Sequence, residues 1–193
     1  MAWSDSHRWS PANRYLLKLS TISTLIFILD QWTKKVVVTY LGVPGKKAVM
    51  GEFLQLTLVF NEGGAFSTRL GSTMFYVVAS LLVMVFVISF LYREAGKSRL
   101  LDLALALVIG GALGNLLDRL RFGSVIDWVD VDFFDIHLAP GRVLFFDFPG
   151  YDLTRWPVFN VADSAVSVGM VLLIISLILS SREQKNAPST TDS

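Results

Sequence analysis

The chain has 193 residues, of which 53% are hydrophobic and only 17% charged, with a mean hydropathy of +0.55, where a soluble domain carries roughly 25% charged residues. Seventeen Lys plus Arg against 16 Asp plus Glu leave a net charge of +1, which gives no basic field for nucleic acid. The absence of cysteine removes thiol nucleophiles and Cys-built zinc sites, and this composition is that of a membrane protein.

A polar tail over 1–13 precedes the first apolar window, 15–34. Arg8, Arg14 and Lys18 before an apolar stretch have the layout of a cleaved signal peptide, but no A-x-A-like site follows, so a retained helix is expected. Next, "EFLQLTLVF" alternates Leu54, Leu56 and Leu58 with Gln55 and Thr57, the period of a strand with one covered face, and "NEGG" turns it. The windows 73–92 and 100–117 are again long enough to span, since a bilayer core asks for about 20 helical residues. Between them lie Arg93, Lys97 and Arg99, which the positive-inside rule assigns to the cytoplasm.

In the third window Gly110, Gly111 and Gly114 permit close helix approach, and Asn115, Asp118 and Arg119 follow at i, i+3 and i+4. No strand precedes these glycines, so helix packing rather than a phosphate loop explains them. The long loop 130–157 holds "VDFFDIHL", "APGR" and "VLFFDF", which predict a hairpin with Pro140 and Gly141 in its turn. Its Phe133, Phe134, Phe145, Phe146 and Phe148 fit a hairpin core better than a lid over lipid, and Trp128, Tyr151 and Trp156 suit an aromatic interfacial edge. The fourth window, 156–181, is followed by a polar tail over 182–193.

The expected fold is therefore a single integral membrane domain, mainly α. It has four transmembrane helices, both termini in the cytoplasm, and a small extracytoplasmic β-rich layer. Most acidic residues fall on the outer side, so any chemistry faces outward.

Asp163 sits inside the fourth apolar window, roughly 10 Å below Trp156 at 1.5 Å per helical residue. An intramembrane carboxylate is costly and is a functional hypothesis by default. Asn160, Asp163, Ser164 and Ser167 fall at offsets 0, 3, 4 and 7, which places them on one helical face. The only histidines, His7 and His137, lie outside the spans, so neither a Ser-His protease in the membrane nor an H-E-x-x-H zinc site is available, and no metal or cofactor is expected. Carboxylates remain as general acid and base. A hairpin return after "RFGS" could set Asp127 opposite Asp163, although five other aspartates follow it in that loop and the residues alone do not choose among them; two nearby carboxylates in low dielectric cannot both ionise cheaply and share a proton. On spacing alone, Asp30 with Lys34 and Asp118 with Arg119 are structural ion pairs, and Asn115 and Asn160 glue the last two spans.

The runs "DQWTK" (Asp30 to Lys34), "NEGGAF" (Asn61 to Phe66), "GGALGNLLDR" (Gly110 to Arg119), "VIDW" (Val125 to Trp128) and "FNVADS" (Phe159 to Ser164) together resemble lipoprotein signal peptidase, or signal peptidase II. The resemblance implies a bacterial inner-membrane aspartyl peptidase. Such an enzyme cuts prolipoproteins just before a cysteine carrying a diacylglyceryl group, works in contact with membrane lipid, and is inhibited by globomycin. It implies Asp127 and Asp163 as the catalytic pair, with Asp30, Lys34, Asn61, Gly63, Gly111, Gly114, Asn115, Arg119, Asn160 and Ala162 shaping or supporting the site. The loop 130–157 is longer than the resemblance leads one to expect. The competing class is a small transporter or proton channel, for which neither internal symmetry nor a midplane site is seen. Presenilin-like proteases expect G-x-G-D, whereas Asp163 follows "NVA".

Overall fold

The computed structural model describes residues 11–63, 73–94, 96, 98–133, 135–143 and 145–186. The first ten residues with His7, the end of "NEGGAF" (Gly64, Ala65, Phe66), Lys97, Phe134 and the tail from 187 lie outside these. Among the described residues there are four helices: α1 (Pro11–Leu41), α2 (Thr73–Glu94), α3 (Arg99–Phe122) and α4 (Val161–Asn186). The strands are β1 (Lys46–Met50), β2 (Leu54–Asn61), β3 (Val125–Val131), β4 (Ile136–Leu138), β5 (Gly141–Val143), β6 (Phe146–Phe148) and β7 (Tyr151–Leu153).

Local chemistry explains most helix ends. Pro11 opens α1 at a position where its missing N–H costs nothing. Gly42 and Gly123, at φ 65° and 73°, close α1 and α3, their N–H groups donating to Val38 O (3.1 Å) and Arg119 O (3.0 Å), the single-bond left-handed cap for which glycine is preferred. Ser98 caps α3, its hydroxyl accepting from Leu101 N at 3.4 Å. Thus α1 runs past Lys34, α3 runs to Phe122 rather than 117, and residues 182–186, expected as tail, are still helical.

The chain forms two compact units interleaved in sequence. One is helical: residues up to Gln31, Val77–Leu117, and Val161 onward. At its centre is α3, with 56% of its apolar span buried against 17% for α2 and 22% for α4. Val87, Leu101, Leu105 and Val108 form its core, joined by Phe90 and Leu173. Small residues set the spacing: a Cβ on Gly110 would lie 2.6 Å from Ser23 O, and one on Gly169 would lie 2.8 Å from Ala104 O. The outward faces are apolar, with Leu82 and Phe86 of α2 66% and 69% exposed. Among the described residues, three helical stretches are long and apolar enough to cross a membrane: Thr73–Leu91, Arg99–Phe122 and Val161–Arg182. The protein is thus a mainly helical, membrane-embedded chain with small sheets.

The other unit, Trp32–Tyr76 and Asp118–Asn160, is β-rich. The alternating "EFLQLTLVF" run does form a strand, β2, at the middle of the antiparallel sheet β1-β2-β3. The expected hairpin in the long loop is differently built. β5 pairs with β6 (Val143 opposite Phe146) and β4 pairs with β7 (Ile136 opposite Leu153), so two short ladders follow one another along one ribbon. Pro140 and Gly141 are not at its turn. Pro140 and Pro149 fall between the ladders, and neither has an N–H to continue them. Nor do Phe145 and Phe146, at the tip, make a core: they are 87% and 78% exposed.

Candidate active site

Strand β3 carries Asp127 between two elements that hold its carboxylate. Asn61, the last residue of β2, donates from Nδ2 to Asp127 Oδ2 at 3.0 Å, and Asn160 donates from Nδ2 to Oδ1 at 2.7 Å and to Ile126 O at 3.3 Å. Asp127 is 2% exposed and Asn160 is fully buried. An amide donor to a buried carboxylate is a charge-assisted bond, about twice as strong as a neutral one. Asn61 Oδ1 in turn accepts from Gly63 N at 2.9 Å, and Arg119 donates to Gly63 O at 3.3 Å while stacking 5.8 Å from the Tyr76 ring centre. Asn61, Gly63 and Arg119 thus belong to one chain of contacts leading away from Asp127.

Lys34 and Asp118 form a second buried feature of the β-rich unit. Their charged atoms are 2.7 Å apart and both side chains are almost fully buried. Asp118 Oδ2 also accepts from Ile126 N at 3.2 Å, which fixes the residue next to Asp127. The spacing-based pairings gave Lys34 to Asp30 and Asp118 to Arg119; the contact between Lys34 and Asp118 joins residues from different helices that no local spacing reveals.

Asp163 belongs to the helical unit and corrects an expectation. The last helix begins at Val161, not Trp156, so Asp163 stands in its first turn and Asn160 precedes the helix instead of sharing its face. Pro157 lacks an N–H, and Phe159 is drawn into a bridge with Val129, its N–H and C=O bonded to that residue at 3.0 and 2.7 Å. A carboxylate in the first turn is favoured by the helix dipole. Asp163 is partly buried, and its Oδ1 accepts from Asn115 Nδ2 of α3 at 2.7 Å.

The start of α4 is tied down from α1. Asp30, fully buried, accepts from the Ala162 N–H at 3.0 Å through Oδ1, and Gln31 donates to Asp30 Oδ2 and to Gly114 O, both at 3.2 Å. Gly114 lies directly against the Asp30 carboxylate and Gly111 against Ala162 O, so a Cβ at either would collide. Asp30, Gly111, Gly114, Asn115 and Ala162 are therefore brought together around the turn that bears Asp163. Gln31 lies inside the "DQWTK" run but is not among the site residues the resemblance implies, because a glutamine carries no chemical signal of its own.

On the ribbon, His137 and Asp152 pair at 2.9 Å in the open. That hydrogen bond to Asp152 raises the His137 pKa above its usual 6.5. This pair was not foreseen either, since β4 and β7 are brought together only by the ribbon.

Residues 22–179 match the family described as signal peptidase (SPase) II. The chain is 37% identical over 170 residues to the lipoprotein signal peptidase of Desulforapulum autotrophicum, covering 86% of this chain and 94% of that one. Its identity to the Moorella thermoacetica lipoprotein signal peptidase is 36% over 168 residues, with 86% and 97% coverage. Two solved structures described as bacterial membrane enzymes superpose with TM-scores of 0.71 and 0.67, at 26% and 27% identity, covering 93% and 84% of this chain and 96% and 94% of theirs. With the match spanning nearly all the helical and β-rich elements, the chain belongs to the signal peptidase II family and is an aspartyl peptidase.

Proposed function

We propose that Asp127 and Asp163 are the catalytic pair of an endopeptidase that removes signal peptides from diacylglyceryl-modified prolipoproteins, cutting just before the lipidated cysteine. The observation that carries this reading is the buried Asp127 carboxylate, held on both oxygens by Asn61 and Asn160 as a fixed acceptor. In the mechanism, the ionised member of the pair takes a proton from water as the hydroxyl oxygen attacks the scissile carbonyl. The protonated member gives its proton to the developing oxyanion, and a carboxyl later protonates the leaving amine. Asn61, Asn160 and Asn115 keep the carboxylate oxygens oriented through the cycle.

Four spans, with α1 crossing as well, are the topology that fits this chemistry. Helix α1 is long enough, although Lys18, Asp30, Lys34 and Lys35 lower its hydropathy, and two of these, Asp30 and Lys34, are buried among protein atoms instead of facing lipid. Both termini then lie in the cytoplasm, the site opens toward the outer face of the bacterial inner membrane, and globomycin occupies the site as inhibitor. Membership in a peptidase family weighs against the transporter alternative.

The test is cleavage by purified protein of one prolipoprotein with and without the diacylglyceryl group, in the presence and absence of globomycin. Cutting of the modified form only, blocked by globomycin, is expected; equal cutting of both forms, or of neither, contradicts the proposed substrate.

A further inference from the structure

The long segment between β3 and α4 leaves the sheet and returns, and at its point of return stands Arg155. Its guanidinium reaches three groups. Nε pairs with Asp130 Oδ1, Nη1 lies 3.2 Å from Asp132 Oδ2, and Nη2 donates to Glu52 O at 2.8 Å. Asp130, with its side chain 4% exposed, also accepts from Thr57 Oγ1 at 2.5 Å. One side chain therefore ties the end of β3, the turn between β1 and β2, and the returning chain together, and a planar guanidinium is the group whose geometry permits it. Hydrogen bonding to Asp130 holds the Arg155 pKa above its usual value.

What lies beyond the clamp gives it meaning. Immediately after Arg155 the chain runs antiparallel to β3: Trp128 N and Val129 N both donate to Phe159 O, at 3.0 and 2.7 Å, and Phe159 N donates to Val129 O at 3.0 Å. The next residue is Asn160, whose amide holds Asp127 at 2.7 Å. A slip of one residue in this pairing would carry Asn160 about 3.4 Å along the strand and turn its side chain to the other face. Among the described residues, the Val129–Phe159 bridge and the bonds from Asn160 to Ile126 O and Asp127 hold this stretch against β3, and the Arg155 clamp stands just upstream of them, where it decides how the chain enters that pairing.

We infer that Arg155 is a positioning residue for the peptidase reaction: by clamping the return of the chain to Asp130, Asp132 and Glu52 O it fixes the register that delivers the Asn160 amide to Asp127. The ribbon from β4 to β7 is then an excursion that the reaction does not require. Ile136 and Leu153 are partners across the β4–β7 ladder, so a two-residue Asn-Gly turn in place of residues 137–152 closes the loop at its base. The inference rests on the reading of Asp127 as catalytic.

The experiment compares wild type, Arg155→Gln, Arg155→Lys, the Asn-Gly replacement and Asp127→Asn in the full-length protein. It measures kcat and KM on the diacylglyceryl-modified precursor, and amide hydrogen exchange at Trp128 and Val129. The expected result is a kcat lowered about tenfold or more in Arg155→Gln with KM within about twofold, faster exchange at both amides, partial recovery in Arg155→Lys, and near wild-type kcat in the Asn-Gly replacement. Wild-type kcat or unchanged exchange in Arg155→Gln, a defect confined to KM, or a kcat in the Asn-Gly replacement as low as that of Arg155→Gln overturns the inference. Activity in Asp127→Asn overturns the catalytic assignment instead, and the exchange rates then still decide whether the clamp sets the register.

Discussion

Asp127 and Asp163 are held in contrasting ways. Asp127 lies on a strand, is 2% exposed, and receives amides from two segments far apart in sequence. Asp163 lies in the first turn of a helix, is partly exposed, and receives Asn115 from the neighbouring helix. The first is oriented by strand register and the second by helix packing, since Asp30 ties down the Ala162 N–H and Gly114 makes room for it. Substitutions in the β-rich unit should therefore disturb the site through register, and those in the helical unit through helix spacing.

The largest effect on activity is expected from the two aspartates themselves: Asp→Asn at either position should lower kcat by about 10²–10⁴ or more, the scale of general acid–base catalysis. The largest effect on stability is expected from Lys34→Met, which strands the Asp118 carboxylate at 1% exposure. A loss of about 3–5 kcal/mol follows, and the double variant Lys34→Met/Asp118→Leu should recover most of it in denaturation measurements. Gly114→Ala should lower the melting temperature, by an overpacking cost of about 1–3 kcal/mol, and displace the α4 first turn. A fall in activity without any change in the environment of Asp163 would break the helix-spacing half of the comparison. Asn160→Leu should reduce kcat more than it reduces stability, where a purely structural role would lower both together.

The smallest effect belongs to the ribbon. With its pKa raised by Asp152, protonated His137 contributes stability below its unfolded pKa of about 6.5, and that contribution fades as pH rises through the higher folded value. Both side chains are exposed, so only a small change in ribbon order by NMR is expected between pH 6 and 8, with cleavage unaffected by His137→Asn.

Much of this was legible in the residues. The Leu54, Leu56 and Leu58 alternation marked β2, apolar length marked α2 and α3, and the motifs brought in nearly every residue now seen around the two aspartates. The start of α4 was misread because hydrophobicity continues back through Phe159 and Val158 to Trp156, while the pairing of Phe159 with Val129 takes that stretch as extended chain. Apolarity alone does not distinguish a residue buried in a helix from one buried beside a strand. The ribbon's nested ladders were hidden because prolines interrupt them where a turn was expected. Arg155 was invisible for a different reason: its partners are 23, 25 and 103 residues away, and only the folded β-rich unit brings them within reach.

The most direct test of the central claim is the cleavage rate of Asp127→Asn, Asp163→Asn and the ribbon control Asp147→Asn on a diacylglyceryl-modified prolipoprotein, with the melting temperature of each measured alongside. Loss of cleavage in the first two at wild-type melting temperature, with Asp147→Asn fully active, is the predicted result. Cleavage persisting in either of the first two would contradict the assignment of the pair.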